Sequence, residues 1–239
     1  NAGNVSQSDT VLEIGPGTGN LTEFILRKKP KKFYIIEKDE RLIKNLSERF
    51  DNKLIIINED ILKYNLKSLS DKDLVIFGNL PYNISSQILA NFIYYSYSEF
   101  SYKKLVLMFQ KEVADRILAE ENSKNYGRLS IFSSWKLNIK KIMDINPSSF
   151  FPKPKVMSSL LIFEPKINYI KFKNSKNLEH ITNVFFNQRR KMIKKPLNIL
   201  FKNSNKVIDE LDLDINLRPQ NLKKETFYKI CLIYEELIN

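Results

Sequence analysis

Asn79-Leu80-Pro81-Tyr82 sets a side-chain amide, a proline and an aromatic ring side by side. The amide accepts hydrogen bonds, the proline stiffens the turn, and the ring offers a stacking face. The stretch follows Leu74-Val75-Ile76-Phe77, an apolar run of strand character that Gly78 breaks. A buried parallel strand ending there presents Asn79 and Tyr82 at its carboxyl end, where open α/β sheets bind ligands. A planar, amino-bearing ring such as a nucleobase suits that pair of groups. Asn-x-Pro-x is also an ordinary turn sequence, so the decision rests on the remainder of the chain.

Three more groups support a nucleoside site. Glu13-x-Gly15-x-Gly17-x-Gly19 lies between a strand candidate, Val11–Ile14, and a helical pattern through Leu21, Phe24 and Ile25. Its glycines permit a tight turn and let backbone N–H groups approach a ligand. The third glycine comes four residues after the first instead of five, Pro16 intervenes, and position 20 is Asn. That spacing speaks against a dinucleotide pyrophosphate, and so against an NAD-dependent oxidoreductase. The loop resembles that of S-adenosyl-L-methionine-dependent methyltransferases, in which an acidic residue precedes it. Glu37, 22 residues after Gly15, ends the second strand candidate, where a carboxylate can accept both hydroxyls of an adenosyl ribose. Asp60 follows the third and is placed to accept from an adenine amine. Singly these are a glycine turn, a helix-start Glu and a loop Asp; together they mark the carboxyl ends of strands one, two and three.

The elements that must position these groups alternate. Strands are expected at Val11–Ile14, Phe33–Ile36, Leu54–Ile57, Leu74–Phe77 and Leu105–Phe109, with helices from Asn20, over Glu40–Phe50 and around Ser85–Tyr95. Such alternation predicts an α/β, Rossmann-like, mostly parallel sheet. Lys111–Ala119 reads as helix, then Ile131–Leu137 and Val156–Phe163 as strands of an antiparallel edge hairpin joined through the Pro-rich 147–154. Leu178–Phe201 and Gln220–Ile238 are amphipathic helical stretches rich in Lys and Arg. The expected division is a methyltransferase-type domain over 1–166 and a small α-helical domain over 167–239.

Composition narrows the class. Thirty-nine Lys and Arg face 27 Asp and Glu, a net charge of +12. The excess suits a polyanionic partner such as nucleic acid, or a Lys-rich solvated surface. Cys231 and His180 are each unique, which excludes an internal disulfide and a Cys/His zinc cluster. A Ser-His-Asp triad would need His180, which sits in a helical pattern in a chain without a nucleophile elbow. No apolar run reaches membrane-spanning length and no signal peptide is visible, so a reducing, cytoplasmic location is expected, with no metal and no membrane.

Val11–Gly19, Asn79-Leu80-Pro81-Tyr82-Asn83-Ile84-Ser85, Phe109-Gln110-Lys111-Glu112-Val113, Tyr126-Gly127-Arg128-Leu129-Ser130, Phe151-Pro152-Lys153-Pro154-Lys155-Val156 and Phe186-Asn187-Gln188-Arg189-Arg190-Lys191 resemble, over nearly the whole chain, the KsgA family of small-subunit ribosomal RNA adenine dimethyltransferases. The resemblance implies S-adenosylmethionine as cofactor, held by Gly15, Glu37, Asp60 and Asn79, with Glu13, Gly17 and Gly19 completing the loop. It implies successive transfer of two methyl groups to N6 of each of two adjacent adenosines near the 3′ end of the small-subunit RNA. The expected partner is the pre-30S subunit and the expected state a monomer. The family ordinarily begins with a basic segment containing Gly-Gln-Asn-Phe that closes over the cofactor. Nothing like it precedes Val11, and a missing N-terminal segment is expected.

For such a reaction the Asn79 side-chain oxygen and the Leu80 carbonyl each accept one N6 hydrogen, Pro81 stiffens the turn, and Tyr82 stacks on the base. Phe150 is the candidate for the opposite face, with Phe151 as the alternative; Phe150 also reads as a core aromatic. Arg189, Arg190 and Lys191, extended by Lys194 and Lys195, read as phosphate contacts or as a solvated helix face, as do Lys140 and Lys141. Phe185, Phe186 and Ile181 read as core. The nearest rival is the Erm-type large-subunit methyltransferase, which usually has isoleucine where Leu80 stands. A non-catalytic nucleic-acid-binding relative is the other, against which the intact Asn79–Tyr82 and Glu37 speak.

Overall fold

A computed structural model describes residues 2–69, 71–95 and 100–237. Asn1, Ile238 and Asn239, which bound some of the expected segments, lie outside them. The strands are β1 (Thr10–Ile14), β2 (Lys32–Glu37), β3 (Ile55–Asn58), β4 (Leu74–Gly78), β5 (Tyr102–Gln110), β6 (Leu137–Ile145) and β7 (Ser158–Pro165). The helices are α1 (Asn20–Leu26), α2 (Glu40–Phe50), α3 (Tyr82–Tyr94), α4 (Lys111–Ile117), α5 (Arg128–Lys136), α6 (Lys176–Asn187), α7 (Lys194–Leu200), α8 (Ser204–Glu210) and α9 (Lys224–Leu237).

The seven strands form one sheet in the order β3-β2-β1-β4-β5-β7-β6. β1 pairs in parallel with β2 and β4, β2 with β3, and β4 with β5. β7 runs antiparallel to β5, so the predicted antiparallel edge is present, with β6 outside it. The central strands are buried on both faces: every residue of β1 and β4 is buried. That is why they read as continuous apolar runs without alternation. Beneath one face Val11, Phe33, Ile35, Val75 and Val106 pack with Ile25 of α1 and Leu46 and Phe50 of α2. Among the described residues no helix is long and apolar enough to cross a membrane.

The chain divides into two compact units, 2–114 with 138–165 and 115–137 with 166–237. The helical unit resumes at Lys166, and 115–137 belongs to it instead of to the sheet unit. The cause is α5, which was expected as a strand over Ile131–Leu137. Ser130 and Ser133 are buried together with Ile131, Phe132 and Trp135, so polar and apolar residues share the inward face of the helix and the 3.6-residue apolar period is hidden. Ser130 starts it, its hydroxyl accepting from the Gly127 N–H (3.1 Å) and donating to the Gly127 carbonyl (2.8 Å). Within this unit Tyr228 of α9 donates to the Ile131 carbonyl (2.8 Å), and Phe185 of α6 meets Phe227 of α9 edge to face.

Candidate active site

Strand register gathers the predicted groups. Ile14 pairs with Ile36 on one side and Gly78 on the other. Gly15, Glu37 and Asn79 are each the next residue beyond this rung, at the carboxyl edge of three adjacent parallel strands. Asn58 of β3 pairs with Glu37, which puts Asp60 just past the same edge. Strand order reverses between β1 and β4, the switch point where open α/β sheets form a ligand crevice.

The loop after β1 has the backbone its glycines were expected to provide. Gly15 and Gly17 have φ of +64° and +57°, and a side-chain carbon on either would meet nothing within 4 Å. They line open space. Gly19 (φ +84°) differs: a side-chain carbon there would lie 2.7 Å from Phe50 and 2.8 Å from Leu46, so this glycine allows α1 to seat against α2. Arg49 of α2 donates to the Thr18 carbonyl at 2.8 Å and braces the loop from outside.

The acidic residues take up different roles. Glu37 is buried, and its Oε1 accepts from the N–H groups of Lys38 (2.8 Å) and Asp39 (3.0 Å). Oε2 makes no hydrogen bond to another described residue. Asp60 is half-buried; its Oδ1 accepts from the Leu62 N–H at 3.0 Å, and Lys38 Nζ lies 3.8 Å from Oδ2. Glu13 is 1% exposed, and the Thr22 hydroxyl of α1 donates to its Oε2 at 2.7 Å. The structure therefore places the Glu13 side chain behind the loop, bonded to α1.

Burial pushes the Glu13 carboxyl up to about 7, against a smaller lowering by the Thr22 hydrogen bond. The folded chain holds this proton more tightly than the unfolded chain. Stability from Glu13 is thus complete below about pH 4.5 and is lost as pH rises through 7, by up to about 3 kcal/mol. Chemical denaturation at pH 5 and pH 8 should show that loss in the wild type and a flatter profile in Glu13→Gln. The same pH dependence in both proteins would refute the assignment.

The turn after β4 is held by the Leu80 side chain, which is buried at 3% exposure. It packs on Gly78, where a side-chain carbon would come within 3.0 Å of Leu80 and 2.9 Å of Leu107. Asn79 and Pro81 are exposed, and Tyr82 opens α3 half-buried. The Tyr82 hydroxyl lies 2.6 Å from the Ser158 hydroxyl. Phe150 is half-buried and follows a turn over Pro147–Ser149 whose carbonyl at Pro147 accepts its N–H (3.2 Å), whereas the Phe151 side chain is fully exposed. A cavity of about 710 Å³ reaches Gly78 and Asn79 between α1 and the ends of β4 and β5. Its lining is mainly apolar and includes neither Glu37 nor Asp60.

The basic cluster lies in the helical unit, where the single stretch expected over Leu178–Phe201 breaks between α6 and α7. Arg189, expected as an RNA contact, is turned into its own unit. Nε donates to Gln220 Oε1 (3.0 Å), Nη1 to the Tyr126 carbonyl (2.9 Å) and Nη2 to the Lys124 carbonyl (2.7 Å). Arg190 and Lys191 are exposed and line a cavity of about 590 Å³ with Lys194, Lys195 and Arg218. Lys141 of the sheet unit donates to Asp144 at 3.0 Å. Sequence reading missed Thr22 and Ser158. Thr22 had one signal, a hydroxyl among the inward-facing apolar residues of α1; Ser158 had none beyond its place at the head of an apolar run.

The chain matches the family model described as "Ribosomal RNA adenine dimethylase" over residues 1–237. It is 58% identical, over 95% of its length and 87% of the relative's, to "Ribosomal RNA small subunit methyltransferase A" of Pelagibacter ubique (strain HTCC1062). Among solved structures, a dimethyladenosine transferase from Plasmodium falciparum superposes with a TM-score of 0.82 at 31% identity, covering 98% of this chain and 93% of that one. The 23S rRNA methyltransferase ErmE shares the fold at a TM-score of 0.71 and 18% identity, covering 98% of this chain and 94% of that one.

Proposed function

Since the chain belongs to the ribosomal RNA adenine dimethylase family, we propose that its carboxyl-edge crevice holds S-adenosylmethionine beside an adenine presented at Asn79–Tyr82. The protein is a ribosomal RNA adenine dimethyltransferase with a Rossmann-like fold. Its proposed substrate is a pair of adjacent adenosines near the 3′ end of the small-subunit RNA, each dimethylated at N6 in the immature subunit. It acts as a monomer and without a metal. The observation that carries this reading is the shared level of Gly15, Glu37 and Asn79 beyond one rung of three parallel strands.

The residues fit the cofactor. Gly15 and Gly17 border open space, and Glu37 keeps one oxygen for a ribose hydroxyl while backbone N–H groups fix the other. Asp60 faces the adenine amine. Glu13 supports the loop from behind. Bound there, S-adenosylmethionine supplies an electrophilic methyl group.

An adenine amine is a weak nucleophile because its lone pair is delocalised into the ring. The base must leave its stack to be reached. The Asn79 side-chain oxygen accepts one N6 hydrogen and the Leu80 carbonyl the other, which pushes density onto nitrogen and aims its lone pair. Leu80 contributes backbone only, in keeping with a side chain buried against Gly78. Tyr82 stacks on one face and Phe150 on the other, each contact worth about 1–3 kcal/mol. Methylated N6 is an acidic cation that yields its proton to water, so positioning supplies most of the rate. In the helical unit Arg190 and Lys191 contact RNA phosphates.

Methyl groups labelled in S-adenosylmethionine should pass to small subunits that lack the modification, and to N6 of adenosine on digestion. Label found only in large-subunit RNA would overturn the assignment.

A further inference from the structure

We propose that Ser158 is a positioning residue for the stacking ring: its hydroxyl, 2.6 Å from the Tyr82 hydroxyl, anchors the far end of the Tyr82 ring at the head of β7. The proposal rests on the reading of Tyr82 as the residue that stacks on the base.

Register explains why this serine can reach the site. Leu107 of β5 pairs with Gly78 on one side and with Leu161 of β7 on the other. Ser158 lies three residues outward from that level, toward the carboxyl edge where Asn79 and Tyr82 begin. It pairs with Gln110, the last residue of β5. It is also the first buried residue after 151–157, at 0% exposure, so its hydroxyl is shielded and its rotamer confined.

Ser158 is pinned on both sides. Before it, the Met157 carbonyl accepts from the Lys111 N–H at 2.9 Å. After it, the Ser159 hydroxyl donates to Asp144 Oδ1 at 2.6 Å. The Ser159 hydroxyl and Lys141 hold the Asp144 carboxyl below its usual range, and Lys111 Nζ lies 3.7 Å away, so this tie stays ionised near neutral pH. The stretch 146–157, which carries Phe150, ends at the same pinned point. One hydroxyl pair thus refers Tyr82 to the strand on which the Phe150 segment terminates. A ring held only by its two side-chain torsions would sample several tilts. A phenol bonded at its hydroxyl keeps its long axis in place, and the preference of its O–H for the ring plane narrows the tilt that remains.

The test is a double-mutant cycle on the whole protein, with labelled methyl transfer to unmodified small subunits. Tyr82→Phe keeps the ring and removes only the bond; Ser158→Ala removes the same bond from the other side. Each should lower kcat about tenfold with KM for the subunit unchanged and with the same small fall in Tm, from the one part-buried hydrogen bond both remove, and the double variant should be no slower than either. Multiplied losses in the double variant would overturn the proposal. So would wild-type kcat in Ser158→Ala, or a kcat loss matched by an equal loss of subunit affinity. Tyr82→Ala separates the two layers: wild-type kcat there would refute stacking itself, whatever the cycle gives.

Discussion

Replacement of Asn79 by alanine is expected to lower methyl transfer about a thousandfold while leaving binding to the small subunit intact. Asn79 is exposed at the carboxyl end of β4. The turn that carries it is held by other groups, chiefly the buried Leu80 side chain on Gly78. Truncating the amide therefore leaves the backbone in place and removes the acceptor proposed for one N6 hydrogen. That acceptor matters most when positive charge develops on nitrogen, and loss of one such preorganised group typically costs two to three orders of magnitude in kcat. In the proposed function, subunit affinity comes mainly from phosphate contacts, to which Asn79 adds nothing. Single-turnover transfer and co-sedimentation with subunits measure the two quantities separately. Equal loss of both would refute the catalytic role, as would a wild-type rate.

How much of this was legible in the sequence depended on whether a feature is local. The strands β1, β2 and β4 showed themselves as apolar runs because both sheet faces are covered, and each ended where its site residue stands. Asp39 caps α2 through a 2.9 Å bond to the Arg41 N–H, and the helix starts at Glu40, as its pattern predicts. The glycine loop was legible because positive φ restricts the residue type. Features that depend on distant partners were not. Nothing in Ser-Ser at 158–159 signals that one hydroxyl meets Tyr82 and the other Asp144. Glu13 reads from spacing as a loop carboxylate, yet Thr22 and burial decide where it points. α5 was misread because buried serines share its inward face with the apolar residues and blur the stripe. Trp135, whose indole N–H donates to the Ile170 carbonyl at 2.7 Å, belongs to the helical unit for a reason that lies 35 residues away.

Adjacent arginines at the break between α6 and α7 should separate into two kinds of defect. In sequence Arg189 and Arg190 look alike, two cations in one basic run. In the structure Arg189 donates to Gln220, Tyr126 and Lys124, and its guanidinium lies 6.0 Å from the Phe186 ring. It ties the end of α6 to the loop that starts α5, where Tyr126 is fully buried and donates to the Leu222 carbonyl at 2.9 Å. Arg189→Ala leaves the Tyr126 carbonyl without its donor beneath this strap. Hydrogen bonds from a charged donor are worth about 1.5–3 kcal/mol each, and the exposed Lys124 carbonyl can turn to water, so a net loss of about 2 kcal/mol is expected. For a chain of this length that is a fall of about 5 °C in Tm. Arg190 is exposed, and Arg190→Ala should leave Tm unchanged. It should instead weaken subunit binding and reduce the slope of log affinity against log salt by about one. Differential scanning calorimetry together with a salt titration of binding distinguishes the two. If Arg189→Ala kept its Tm and lost only the salt slope, the strap would be refuted and Arg189 would be a phosphate contact after all. The expected separation makes one arginine hold the surface in shape and the other meet the RNA, a division that charge counting on the sequence does not resolve.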